Sequence, residues 1–181
     1  MEYKGFSTVR KVISMSFEVN ILVVNQNKPL PIPFLSFIEV INEVDDKMVL
    51  RLDCTWKFMS QTKGIWYSLV KEDKGIKNAF LLCTSDFEIE SEKLPIPFWI
   101  DDEDVTYNLT PLVIHKEYLE EFEAILEFLI KQSPTNTLMF LARYQGGDYE
   151  IIQGTLSLSD FIQHLKSKKI LFNVCYIITN D

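Results

Sequence analysis

Histidine, cysteine and glycine are scarce in this chain, and each scarcity removes a kind of chemistry. There are two histidines, three cysteines and six glycines in 181 residues. Four residues after His115 stands Leu119, not a second histidine, so no helical pair of imidazoles is offered to a metal. His164 lies close to Lys166, Lys168 and Lys169. Cys54, Cys83 and Cys175 are far apart, form no Cys-x-x-Cys pair and fall in apolar runs, where free cysteine acts as a small hydrophobe. Gly146-Gly147 reads as a turn and does not open a helix, so no phosphate-cradling loop is present. A Gly-x-Ser-x-Gly nucleophile elbow is also missing. No catalytic residue, metal ligand or cofactor site is expected.

Long apolar runs are missing too. None approaches the roughly 18 residues of a membrane span, and the first residues, Met1–Phe6, lack the apolar stretch of a secretory signal. A cytoplasmic location is the expectation. Basic charge is in short supply, with 18 Lys and Arg against 26 Asp and Glu and a net charge of −8. Nucleic acid and anionic membrane both need basic surface, so neither is an expected partner.

The acidity is concentrated. From Asp86 to Glu127 thirteen acids face only Lys93 and Lys116, which leaves −11 there and +3 over the rest of the chain. Hydrophobic residues make up 47% and aromatics 13%, enough for a substantial core. One globular domain spanning residues 1–181 is expected.

The pentapeptide Leu-Pro-Ile-Pro-Phe occurs twice, at Leu30–Phe34 and Leu94–Phe98. Alternating prolines fix φ and hold the residues between them extended, so each copy reads as a stiff connector. A shift of 64 residues aligns the copies and almost nothing around them, which leaves little support for a duplication.

Period-two alternation predicts strands at about 11–24 and 48–58, and the apolar runs 65–70 and 79–84, set between turns, read as further strands, with 71–75 as a turn. The residues after Pro33 fit either a short helix or a strand. Asp86–Lys93 alternates with all its acids on one face, as an exposed edge would. Tyr118, Phe122, Ile125, Leu126, Leu129 and Ile130 predict an amphipathic helix over about 116–132. The runs 138–144 and 149–156, flanking Gln145-Gly146-Gly147-Asp148, predict a hairpin. Ser157-x-x-Asp160 opens a short helix, and the nearly all-apolar 170–179 predicts a strand covered on both faces. The fold class is therefore α+β: a largely antiparallel sheet covered by one long helix and one or two short ones.

These patterns point first to a non-catalytic protein-binding module with an acidic surface for a basic protein partner. An immunity protein against a basic toxin has this profile. The candidate surface is Glu88, Glu90, Glu92, Phe98, Trp99, Asp101, Asp102, Glu103, Asp104 and Tyr107, carboxylates for steering beside aromatics for affinity. Consecutive carboxylates at 101–104 point opposite ways in an extended segment and lack a calcium-loop glycine, so no metal is assigned to them. The alternatives are a small-molecule binder or enzyme with a dispersed pocket between sheet and helix, and a subunit that self-associates.

Overall fold

The computed structural model describes residues 17–29, 33–34, 38–41, 61–86, 109–144 and 151–180. The strands predicted at 48–58 and 86–93 and the second proline copy lie outside these residues, apart from Asp86 itself.

Alternation builds the centre of the main sheet. In β1 (Phe17–Val24), Val19, Ile21 and Val23 enter one apolar cluster, while Leu22 enters another. Opposite faces of one strand are thus both buried. β3 (Gly64–Leu69) and β8 (Thr137–Tyr144) flank β1, each antiparallel to it. β2 (Ile38–Ile41) pairs antiparallel with β3, which settles the segment after Pro33 as a strand. On the other side β10 (Val174–Thr179) is antiparallel to β8, and β9 (Ile151–Ser157) is parallel to β10. The order is β2-β3-β1-β8-β10-β9. Two small antiparallel pairs accompany it: β4 (Lys71–Asp73) with β5 (Ile76–Asn78), and β6 (Cys83–Ser85) with β7 (Leu112–Ile114).

Register aligns the side chains into rows. Tyr67, Ile21, Phe140 and Tyr176 lie side by side across four strands. Helices α1 (Leu119–Ile130) and α2 (Leu158–Lys166) close over this row. Phe140 meets Phe122 of α1 with ring centroids 6.1 Å apart and Phe161 of α2 at 5.0 Å. Phe161 in turn meets Tyr176 at 5.7 Å, and all three contacts are edge-to-face, the favoured geometry for buried rings. On the reverse face Trp66, Leu22, Met139, Leu141 and Cys175 form a second buried cluster. Arg143 on that face donates to Glu18 Oε2 at 3.0 Å.

The α+β reading holds, with sheets that are mostly antiparallel, but four local expectations change. The single helix expected over 116–132 is a 3-10 turn, Lys116–Tyr118, followed by the twelve residues of α1. Neither His115 nor Tyr118 caps with its side chain, and an uncapped start tightens readily into a 3-10 turn. At the other end Ser133 Oγ donates to Val24 O at 2.7 Å and accepts from Thr137 N at 3.1 Å, turning the chain into β8.

The hairpin expected from 138–156 does not form. β10 lies between β8 and β9, and α2 makes the parallel crossover from β9 to β10. A fully apolar strand gains most in an interior position, and β10 takes it. Residues 71–75, expected as a turn, hold the first strand of the β4–β5 hairpin, whose turn residues Lys74 (φ 50) and Gly75 (φ 81) both have positive φ. The strand expected at 79–84 is a 3-10 turn, Ala79–Leu81, then β6.

The start of α2 forms as expected, with Ser157 as its N-cap and its Oγ donating to Asp160 Oδ2 at 2.8 Å. Ser157 Oγ accepts from Asp160 N at 3.0 Å. Phe34, at the end of the first proline copy, packs inward on Phe128 with ring centroids 6.0 Å apart.

Phe140→Ala should lower stability by about 3–5 kcal/mol, because the deletion empties the junction of both helices. Gly64→Ala should cost about 1–3 kcal/mol, since a Cβ there would stand 2.3 Å from Val23 O. Urea denaturation of both variants measures these losses.

Candidate functional site

Every residue of the surface expected from the sequence (Glu88, Glu90, Glu92, Phe98, Trp99, Asp101, Asp102, Glu103, Asp104 and Tyr107) lies outside the described residues. The part of the acidic stretch that is described falls on Asp86 and on α1 with the turn before it.

The helix sorts these acids by periodicity. Phe122, Ile125, Leu126, Leu129 and Ile130 turn inward and are buried. Glu117, Glu120 and Glu127 are exposed on the opposite side, and Glu121 and Glu123 are half-buried at its borders. Two acids are neutralised by the end of α2 and the turn after it: Lys166 Nζ is 2.8 Å from Glu123 Oε1, and Lys168 Nζ is 2.7 Å from Asp86 Oδ2. Among the described residues Glu117, Glu120, Glu121 and Glu127 enter no ion pair. These four were counted in the acidic stretch but not placed in the candidate surface. The signal that finds them is their spacing at positions 117, 120, 121 and 127, which follows the helical period opposite the apolar stripe.

Among the described residues, Cys83, Cys175 and His115 are engaged in structure. Cys83 is buried with its Sγ donating to Ala79 O at 3.5 Å, and burial holds its thiol far above the ordinary value. A thiol so disposed is a poor nucleophile. Cys175 is buried in the second cluster. His115 Nε2 lies 3.3 Å from Phe80 O. Among the described residues no group of three His, Cys, Asp or Glu side chains is placed to hold a metal, and no helix is long and apolar enough to cross a membrane.

Between sheet and α1 the space expected for a dispersed pocket contains Phe122, Ile125, Leu126, Leu129 and Phe140, all buried. Tyr67 O–H donates to Gln26 Oε1 at 2.8 Å, and Gln26 Nε2 is buried without a partner among the described residues. Comparison with protein-family models, curated proteins and solved structures gave no match to this chain.

Burial raises the ionisation of three groups: Cys83, Tyr67 and Tyr176 all sit above their ordinary values of 9.0, 10.0 and 10.0. A raised folded value favours the protonated group in the folded state. The stability this contributes is complete below the unfolded values and is lost as pH rises through them toward the folded ones. The urea midpoint should therefore begin to fall above pH 9.0, where the unfolded thiol ionises. In parallel, Cys83 should resist thiol reagents until the chain is unfolded.

Proposed function

We propose that this protein is a non-catalytic binding module that presents an acidic surface to a basic protein partner, in the manner of an immunity protein or antitoxin. The observation that carries the reading is the outward side of α1. Glu120 and Glu127 are exposed there, with Glu117 exposed on the 3-10 turn just before, on a helix whose opposite side is locked into the core.

The physical logic has two stages. Clustered carboxylates of one sign raise the local concentration of a cationic partner and speed encounter. A helix already fixed by its five buried side chains pays little ordering cost when the partner docks. Affinity then comes from apolar anchors, for which Phe98, Trp99 and Tyr107, flanking Asp101–Asp104 in sequence, are the candidates. Asp101, Asp102, Glu103 and Asp104 extend the charge.

Affinity capture at low and high salt, read by mass spectrometry, tests the proposal. A basic protein should be retained at low salt and released at high salt. Two variants complete the test: Glu117, Glu120, Glu121 and Glu127 changed to Gln, and Asp101, Asp102, Glu103 and Asp104 changed to Asn or Gln. At least one should associate roughly ten-fold more slowly with the captured protein. Binding unchanged in both sets would rule out acidic docking.

A further inference from the structure

Among the described residues five that are not glycine have positive φ: Asn25, Lys74, Asn136, Lys168 and Asn173. Three are asparagines, which tolerate that region. Lys74 shares the β4–β5 turn with Gly75. Lys168, at φ 57, lies just past the end of α2.

That end is a Schellman turn. Lys169 N donates to His164 O at 2.8 Å and Lys168 N to Leu165 O at 3.1 Å. Glycine is the usual residue at the left-handed position of this motif, because a Cβ is unfavourable there. A lysine in its place is a backbone outlier, and outliers persist where the surroundings use them. The use here is visible: Lys168 Nζ is 2.7 Å from Asp86 Oδ2. The Asp86 side chain is only 16% exposed, so the pair is screened less than one in open water.

Asp86 stands where three segments meet. Ser85 pairs with Leu112, and Asp86 N donates to Pro111 O at 3.0 Å. Pro111 bridges to Leu171, and Phe172 N donates to Thr110 O at 2.8 Å. The chain at 85–86 therefore runs beside the chain at 111–112, which in turn runs beside 171–172. Lys168 reaches from the third of these segments back to the first.

We propose that Lys168 is a positioning residue for the acidic surface. It ties Asp86, the first acid of the acidic stretch, to the end of α2, and so fixes where the chain enters the run that begins at Glu88. The functional half of this inference rests on the acidic-docking reading; the tie itself does not. Its sign is diagnostic. Lys168→Gly removes one positive charge, taking −8 to −9, so charge alone would strengthen binding to a basic protein. Loss of positioning weakens it.

Native-state hydrogen exchange, read by NMR, tests the tie without a partner. In Lys168→Gly the protection factor of the amide at 86 should fall about five-fold or more, while amides of α1 and β8 keep theirs. Asp86→Asn should lower it similarly, because each variant breaks the same pair. The urea midpoint of Lys168→Gly should change little, since relief of the backbone at this position offsets the lost pair. Unchanged protection at 86 in either variant overturns the tie. The purified basic protein retained at low salt should then bind Lys168→Gly about three-fold or more weakly than wild type. Equal or tighter binding overturns the positioning role and leaves acidic docking standing. If the wild-type chain retains no basic protein, acidic docking fails and the positioning role with it, while exchange at 86 still decides the tie.

Discussion

The contact of Phe140 with Phe122 and Phe161 joins the two helices to the sheet. Phe140 stands in the centre of β8, which itself lies between β1 and β10. One ring thus receives α1 from one side and α2 from the other, at 6.1 and 5.0 Å. Buried rings of this size remove large apolar areas from water, and their edge-to-face contacts add a directional preference. The direction matters because neither helix would hold its place by local bonds alone, although α2 is capped at both ends by Ser157 and Ser167. α1 begins without a side-chain cap, and α2 has only nine residues, too few to be stable alone. Tertiary packing decides where both lie.

The same junction explains why the C-terminal strand is interior. β10 contributes Tyr176 to the aromatic row, and Tyr176 O–H accepts from Leu171 N at 2.8 Å. That bond holds the turn leading into the strand. Asn173 adds a second tie, with Tyr144 N donating to its Oδ1 at 3.0 Å and its own N donating to Ala142 O at 2.7 Å. Asn173 adopts φ 61, a conformation that asparagine tolerates better than most residues. The last strand of the chain therefore enters between β8 and β9 with its approach fixed by side chains as well as by the ladder. β1 and β8 pair across more than a hundred residues. Contacts of such long range pay a loop-closure cost before they stabilise anything, so this sheet belongs among the slower topologies to fold.

Elements were legible in the sequence where one local pattern decided them. The period of two over β1, the helical period of α1 and the N-cap of α2 are read within a dozen residues of chain. Pairing was not legible, because it is decided between distant segments. Gly146-Gly147 looked like the tip of a hairpin, yet the apolarity of 170–179 placed β10 where β9 was expected. The turn at Lys74-Gly75 lies inside the expected 71–75, which is too wide because Lys71–Asp73 is polar enough to resemble a loop. Part of the acidic surface was legible as composition. Its arrangement on α1 needed the helical phase, which places Glu117, Glu120 and Glu127 outward and puts Glu123 within reach of Lys166.

The acids of α1 have a structural use as well. Glu120 and Glu121 lie in its first turn and Glu117 just before it, where the partial positive charge of an uncapped helix start favours carboxylates. Glu127 lies beyond that influence and has Glu123 four residues before it. Glu123 is held by Lys166, which removes much of the like-charge penalty. Charge near the helix start is therefore partly stabilising, at about 0.3–1 kcal/mol for each favourable carboxylate. That is small beside burial of Phe122, Ile125, Leu126, Leu129 and Ile130, each worth about 1.5–3 kcal/mol. The helix keeps its place when its outer charge is removed. Exposed charge and buried packing on α1 are in this way assigned to opposite sides of one element, and a change in the first need not pass through the second.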